Sequence, residues 1–82
     1  MPLTEFESKV LLALRDRALP IMSLPKISGM SGSAVYNAVR ALLERGLVSE
    51  ERETKLPRRR FIKLTENGRK IASLLDEIER RL

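Results

Sequence analysis

Ser31–Val48, SGSAVYNAVRALLERGLV, decides how the rest of the chain is read. Ser31 or Ser33 can accept a hydrogen bond from the free backbone N–H groups of a first helical turn, so a helix begins here. Val35, Ala38, Val39, Leu42 and Leu43 then recur at helical spacing and form one apolar stripe. The opposite face carries Ser33, Tyr36, Asn37 and Arg40. Gly46 follows the last periodic residue, where a left-handed backbone ends a helix without a Cβ penalty. The spacing therefore predicts a helix over 31–45 that is held from behind and free in front.

On its N-terminal side the chain offers two further helices. Thr4 followed by Glu7 reads as a capping box, opening a helix from about Glu5 to Arg17 with Leu3, Phe6, Val10, Leu11 and Leu14 on one face. Leu12 falls outside that stripe and reads as surface. Pro20 ends the element, and Pro20 to Met22 suits a short extended segment. Ser23 is the next N-cap candidate, with Pro25 tolerated in the first turn. Leu24 and Ile27 are expected to face inward, and Gly29 stops this short helix before a buried Met30. A short helix, a glycine turn and a longer helix with a polar outer face make a helix-turn-helix.

On the C-terminal side the period changes. Leu47 to Glu53 and Arg58 to Leu64 read as two antiparallel strands around a Thr54 to Pro57 loop, since Pro57 suits a turn. Thr65 then opens a last helix whose stripe is Ile71, Leu74, Leu75, Ile78 and Leu82. Gly68 in its first turn costs about 1 kcal/mol relative to Ala, which points to close packing there. The stripe can pack on the first helix of its own chain or on a second copy; a small domain has little left to cover it, so helix 65–82 is expected to form a homodimer interface.

The expected class is α+β, mostly α, in one domain over residues 1–82. The chain has 82 residues, 43% of them hydrophobic and 33% charged, and its formal net charge is +5. It contains no Cys and no His, which removes disulfides, thiolate metal sites and the commonest general base. Neither a metal nor a cofactor is expected. No apolar run approaches a membrane span and the start lacks a signal-peptide pattern, so a cytoplasmic protein is expected. Absence of Cys, His and Gln with many Arg and Glu points to a thermophile.

The charge is unevenly placed. Basic and acidic residues cancel over 1–51, whereas Arg52, Lys55, Arg58, Arg59, Arg60, Lys63, Arg69 and Lys70 face only Glu53 and Glu66 over 52–70. A local positive stripe is the footprint of a polyanion partner. The helix itself is close to neutral, so affinity is expected from the basic hairpin 52–63 and sequence choice from the helix.

Two phrases carry a family resemblance: SGMSGSAVYNAVRALLERGLV over Ser28–Val48 and PRRRFIKLTENGRK over Pro57–Lys70. In order and spacing the chain resembles winged helix-turn-helix transcription regulators of the MarR and PadR kind. That resemblance implies a three-helix core, a two-stranded wing and a C-terminal dimerisation helix. It implies that Ser31, Ser33, Tyr36, Asn37 and Arg40 face the major groove of double-stranded DNA. It also implies that Arg58 and Arg59 reach phosphates or the minor groove. Relatives usually carry extra helices that build the dimer and a ligand pocket, which leaves a small-molecule effector doubtful. Gly32 stands where relatives often have a polar or basic residue.

The residues bear a chemical reading of their own. Asn37 can pair bidentately with adenine, and Arg40 with guanine or a phosphate. Tyr36 can lie against a sugar or a thymine methyl, or pack on Ile27 and Met30. Lys55 belongs to the basic hairpin tip. Strand alternation sends Arg58 and Arg60 to one face and Arg59 to the other, so at most two of the three are expected to bind. No base, nucleophile or metal set converges as catalysis requires, and an enzyme is not expected. The expected function is sequence-specific transcriptional regulation, as a repressor in the absence of an activation or sensor domain. The alternative is a winged-helix protein-interaction or architectural chromatin module that binds DNA without sequence preference.

Overall fold

Local signals and long-range packing meet first in the N-terminal helix. Thr4 Oγ1 accepts from Glu7 N–H at 3.1 Å and the Glu7 carboxylate accepts from Thr4 N–H at 3.0 Å. This capping box opens α1 (Glu5–Ala13). The computed structural model describes residues 2–82. The expected continuation of α1 to Arg17 does not occur. Leu14 and Arg15 close the helix with tight bonds to Leu11 and Leu12, and the chain turns so that Leu19 can enter the core. Val10, Leu11 and Leu14 are buried as expected, while Phe6 is half-exposed.

Leu19–Pro20 is β1, and a 3-10 turn at Ile21–Ser23 leads into α2 (Leu24–Ser28). Ser23 stands at the N-cap position but caps nothing, because it is already helical; its hydroxyl donates to Pro20 O at 2.7 Å. Leu24 is buried, but Ile27 is half-exposed, contrary to expectation. Met30, delivered by the left-handed Gly29, takes the inward place beyond Leu24 in so short a helix.

Ser31 caps α3 (Gly32–Glu44) by accepting from Ala34 N–H at 3.2 Å. Val35, Ala38, Val39 and Leu42 are buried in one stripe. The helix ends in a Schellman motif: Leu47 N–H donates to Leu42 O at 3.0 Å and Gly46 N–H to Leu43 O at 3.1 Å, with Gly46 at φ 71°.

β2 (Val48–Arg52) and β3 (Arg60–Leu64) form the hairpin, with Val48 opposite Leu64 and Arg52 opposite Arg60. Both strands are shorter than expected, because Glu53 and Arg59 are used to close the loop. A third strand joins them. β1 pairs with β3, Leu19 opposite Ile62 and Pro20 opposite Phe61, giving the order β1-β3-β2. Pro20 is tolerated because β1 is an edge strand.

Thr65 caps α4 (Glu66–Arg81), accepting from Gly68 N–H at 3.1 Å. It also holds the end of α3: its N–H donates to Leu47 O at 3.1 Å and its hydroxyl to Gly46 O at 2.7 Å. Gly68 is buried at this junction, and a Cβ there would lie 1.9 Å from Leu47 O, so the glycine does mark close packing. Arg15 ties α1 to α4 through Asp76 at 2.9 Å.

Candidate nucleic-acid interface

The stripe that buries Val35, Ala38, Val39 and Leu42 turns the other side of α3 to solvent. Ser33, Tyr36, Asn37 and Arg40 are all exposed there, a row at helical spacing. Among the described residues Asn37 and Arg40 make no side-chain hydrogen bond or ion pair, so their donors and acceptors are available. Tyr36 is exposed, which favours the outward of its two readings. Ser31 differs from the other four, since its hydroxyl is engaged in the cap of α3.

A groove of about 400 Å3 runs beside this row, lined by Thr4, Phe6, Glu7, Ser33, Ala34, Asn37 and Ala38. Phe6 therefore borders the polar face of α3 instead of filling the core. Periodicity alone could not separate the two roles, because Phe6 lies on the α1 stripe at its exposed first turn.

In the wing, carboxylates hold half of the cations. Arg59 donates to Glu53 through Nε at 2.9 Å, through Nη2 at 3.4 Å and through its backbone N–H at 3.0 Å. Its guanidinium also lies over the Phe61 ring, 5.3 Å from the centroid. These bonds, more than charge attraction, hold the Glu53 carboxyl below its ordinary pKa and raise that of Arg59. Arg60 pairs with Glu50, and Lys63 with Glu51 at 3.5 Å. Arg52, Lys55 and Arg58 are exposed and have no carboxylate partner among the described residues. Exposed pairs of this kind are screened by water and salt, so a phosphate can displace a carboxylate, but the unpaired three need no exchange.

The strand alternation expected over 58–60 stops at Arg60. Arg58 has a left-handed backbone, φ 55°, and Arg59 closes the loop, so neither belongs to the pleat. The clasp between Glu53 and Arg59 was missed for that reason. A carboxylate and an arginine bracketing a proline-containing loop was the available signal.

The C-terminal stripe divides in two. Ile71 and Leu75 pack against the core beside the buried Ala72. Leu74, Ile78 and Leu82 stand on the outer side, 57%, 55% and 99% exposed. Among the described residues no three of His, Cys, Asp or Glu converge as metal ligands. No helix is long and apolar enough to cross a membrane.

No family model matches the sequence, and no curated protein is significantly similar to it. Solved structures are similar along nearly the whole chain. The adhesin competence repressor AdcR of Streptococcus pyogenes superposes with a TM-score of 0.89 at 25% identity, over 96% of this chain and 59% of that one. A MarR-family transcriptional regulator of Silicibacter pomeroyi gives 0.86 at 26% identity, over 96% and 53%. The zinc-responsive MarR family member ZitR of Lactococcus lactis gives 0.82 at 25% identity, over 89% and 51%. The fold is the MarR-family winged helix.

In MarR terms, α2 and α3 are the helix-turn-helix, β2 and β3 the wing, and α4 the helix that leaves it. The chain spans a little over half the length of these MarR-type structures.

Proposed function

We propose that this chain is a sequence-specific, double-stranded DNA-binding transcriptional regulator of the cytoplasm, acting as a homodimeric repressor. One observation carries the reading: Asn37 and Arg40, exposed on α3 and without side-chain partners among the described residues, stand in the same small domain as a wing in which Arg52, Lys55 and Arg58 have no carboxylate partner there. Ser33, Tyr36, Asn37 and Arg40 enter the major groove, with Asn37 and Arg40 reading base edges. Lys55 and Arg58, with Arg52 behind them, contact phosphates or the minor groove, and Arg59 and Arg60 join by exchanging carboxylate for phosphate. Leu74, Ile78 and Leu82 of α4, continuous with Ile71 and Leu75, bury one another across a two-fold axis. Residues 1–82 act as one domain, and no small-molecule effector is invoked.

Selection of bound duplexes from a random DNA pool tests this reading. We expect a near-palindromic site with half-sites about 34 Å apart. Asn37→Ala should relax the preference at one base position in each half-site, a discrimination of about 1–3 kcal/mol. Recovery of no enriched sequence sinks the proposal in favour of an architectural or protein-interaction module. Equal weakening on every sequence removes Asn37 from the bases.

A further inference from the structure

A single exposed leucine needs no explanation on most protein surfaces. Leu56 differs in its setting. It is 84% exposed at the apex of the wing loop, between Lys55 and Arg58. The loop beneath it is closed twice: Glu53 N–H donates to Arg59 O at 3.1 Å, and Arg59 N–H donates back to the Glu53 carboxylate at 3.0 Å. Within that frame Arg58 N–H donates to Lys55 O at 2.8 Å, drawing the two cationic residues together around Leu56 and Pro57. Arg58 is held at φ 55°, a conformation that a non-glycine residue keeps only when its surroundings enforce it. The apex is thus a preformed apolar point with positive charge on either side.

We propose that Leu56 seats in the minor groove flanking the α3 contact, its side chain against the deoxyribose walls while Lys55 and Arg58 take the phosphates on either side. The inference rests on the DNA-binding reading above and adds to it an apolar contact. Charge complementarity chooses the occupant. A protein partner would need an apolar pocket with carboxylates placed on both of its sides, whereas the minor groove is a slot about 6 Å wide bordered along both walls by phosphates. Apolar side chains are used by minor-groove proteins in just this setting.

Salt dependence separates the apolar contact from the ionic ones. Affinities of the full chain for its selected duplex are measured across a potassium chloride series for wild type, Leu56→Ala and Arg58→Ala. Leu56→Ala is expected to bind about tenfold more weakly, because most of a buried leucine's apolar contact is lost. Its slope of log affinity against log salt should be unchanged, since no counterion is involved. Arg58→Ala should lower that slope by about 0.9, one phosphate's worth. Hydroxyl-radical cleavage, which attacks sugars from the minor groove, should show protection flanking the major-groove contact in wild type and lose it in Leu56→Ala.

Wild-type affinity or an unchanged footprint for Leu56→Ala overturns the proposal and leaves the DNA-binding reading standing. A Leu56→Ala loss accompanied by a fall in slope also overturns it, by showing that the change rearranged the cations. If wild type binds no duplex at all, the functional reading itself falls.

Discussion

At the scale of one residue, Glu53 shows how the wing acquires a fixed shape without a core. Its carboxylate is useful only while ionised, because every bond it accepts comes from Arg59. The side-chain bond is the largest cause of its lowered pKa, followed by the backbone bond. A folded-state pKa below the unfolded value means that the clasp is fully present above the ordinary Glu range, about pH 4.3. It is lost as pH falls through the lowered value. Carbon-detected titration of the Glu53 carboxyl should therefore give a midpoint below the ordinary Glu value. The Arg59 amide should lose hydrogen-exchange protection over the same acidic window. Glu53→Gln should remove both effects, and a midpoint at the ordinary value would mean that the clasp does not persist in solution. Asn37 and Arg40 were legible as exposed because a 3.6-residue period fixes which face α3 turns outward. Arg59 was not, since its role depends on a left-handed backbone at Arg58 that no alternation pattern reports.

Elements repeat that contrast. The caps at Thr4, Ser31 and Thr65 and the stops at Gly29 and Gly46 are local chemistry, and each stands where its residue type led one to look. What failed was decided from afar. α1 ends four residues early because β1 must reach β3, and Leu19–Pro20 is too short to announce itself as a strand. The capping Thr and packing Gly of α4 are a case where sequence reading and structure agree in kind but not in size. Helix propensity alone would favour Gly68→Ala by about 1 kcal/mol. Here the new Cβ would meet the carbonyl oxygen of Leu47 at 1.9 Å, and backbone cannot step aside as a flexible side chain can. Overpacking of this kind costs about 3 kcal/mol, so steric conflict wins over propensity. Chemical denaturation should show Gly68→Ala destabilised by roughly 2 kcal/mol or more as the balance of those two effects. A neutral or stabilised variant would mean that the α3–α4 junction is looser than described.

For the whole molecule the deciding surface is the outer row of α4. Leu74, Ile78 and Leu82 recur every four residues, flanked by the Arg80–Asp76 and Arg81–Glu77 pairs on the same helix. If that row is the two-fold contact, Leu74→Glu with Ile78→Glu should sediment as a monomer while keeping the helical circular dichroism of wild type. Binding to a duplex with both half-sites should fall by about a hundredfold, the gain that linking two modules ordinarily provides. Binding to a single half-site should be nearly unchanged. A double variant that remains dimeric would move the contact elsewhere. A 3.6-residue period marks this stripe as apolar without saying which of its residues pack inward and which are left for a second copy. The structure splits it because the buried face of α4 centres on Gly68 and Ala72, too small to register in a pattern of large apolar residues, so that only Ile71 and Leu75 on the near side of the stripe reach the core.

The two hydrogen bonds from Thr65 onto Gly46 and Leu47 act as a weld between the end of α3 and the start of α4. A rotation of α4 in the proposed dimer would therefore carry the end of α3 with it. In the proposed dimer the molecule measures DNA as a pair of calipers does, with α3 as the jaws and the pivot on α4. Substitutions at the pivot would be read out as a change in preferred half-site spacing, even though no residue there touches the duplex.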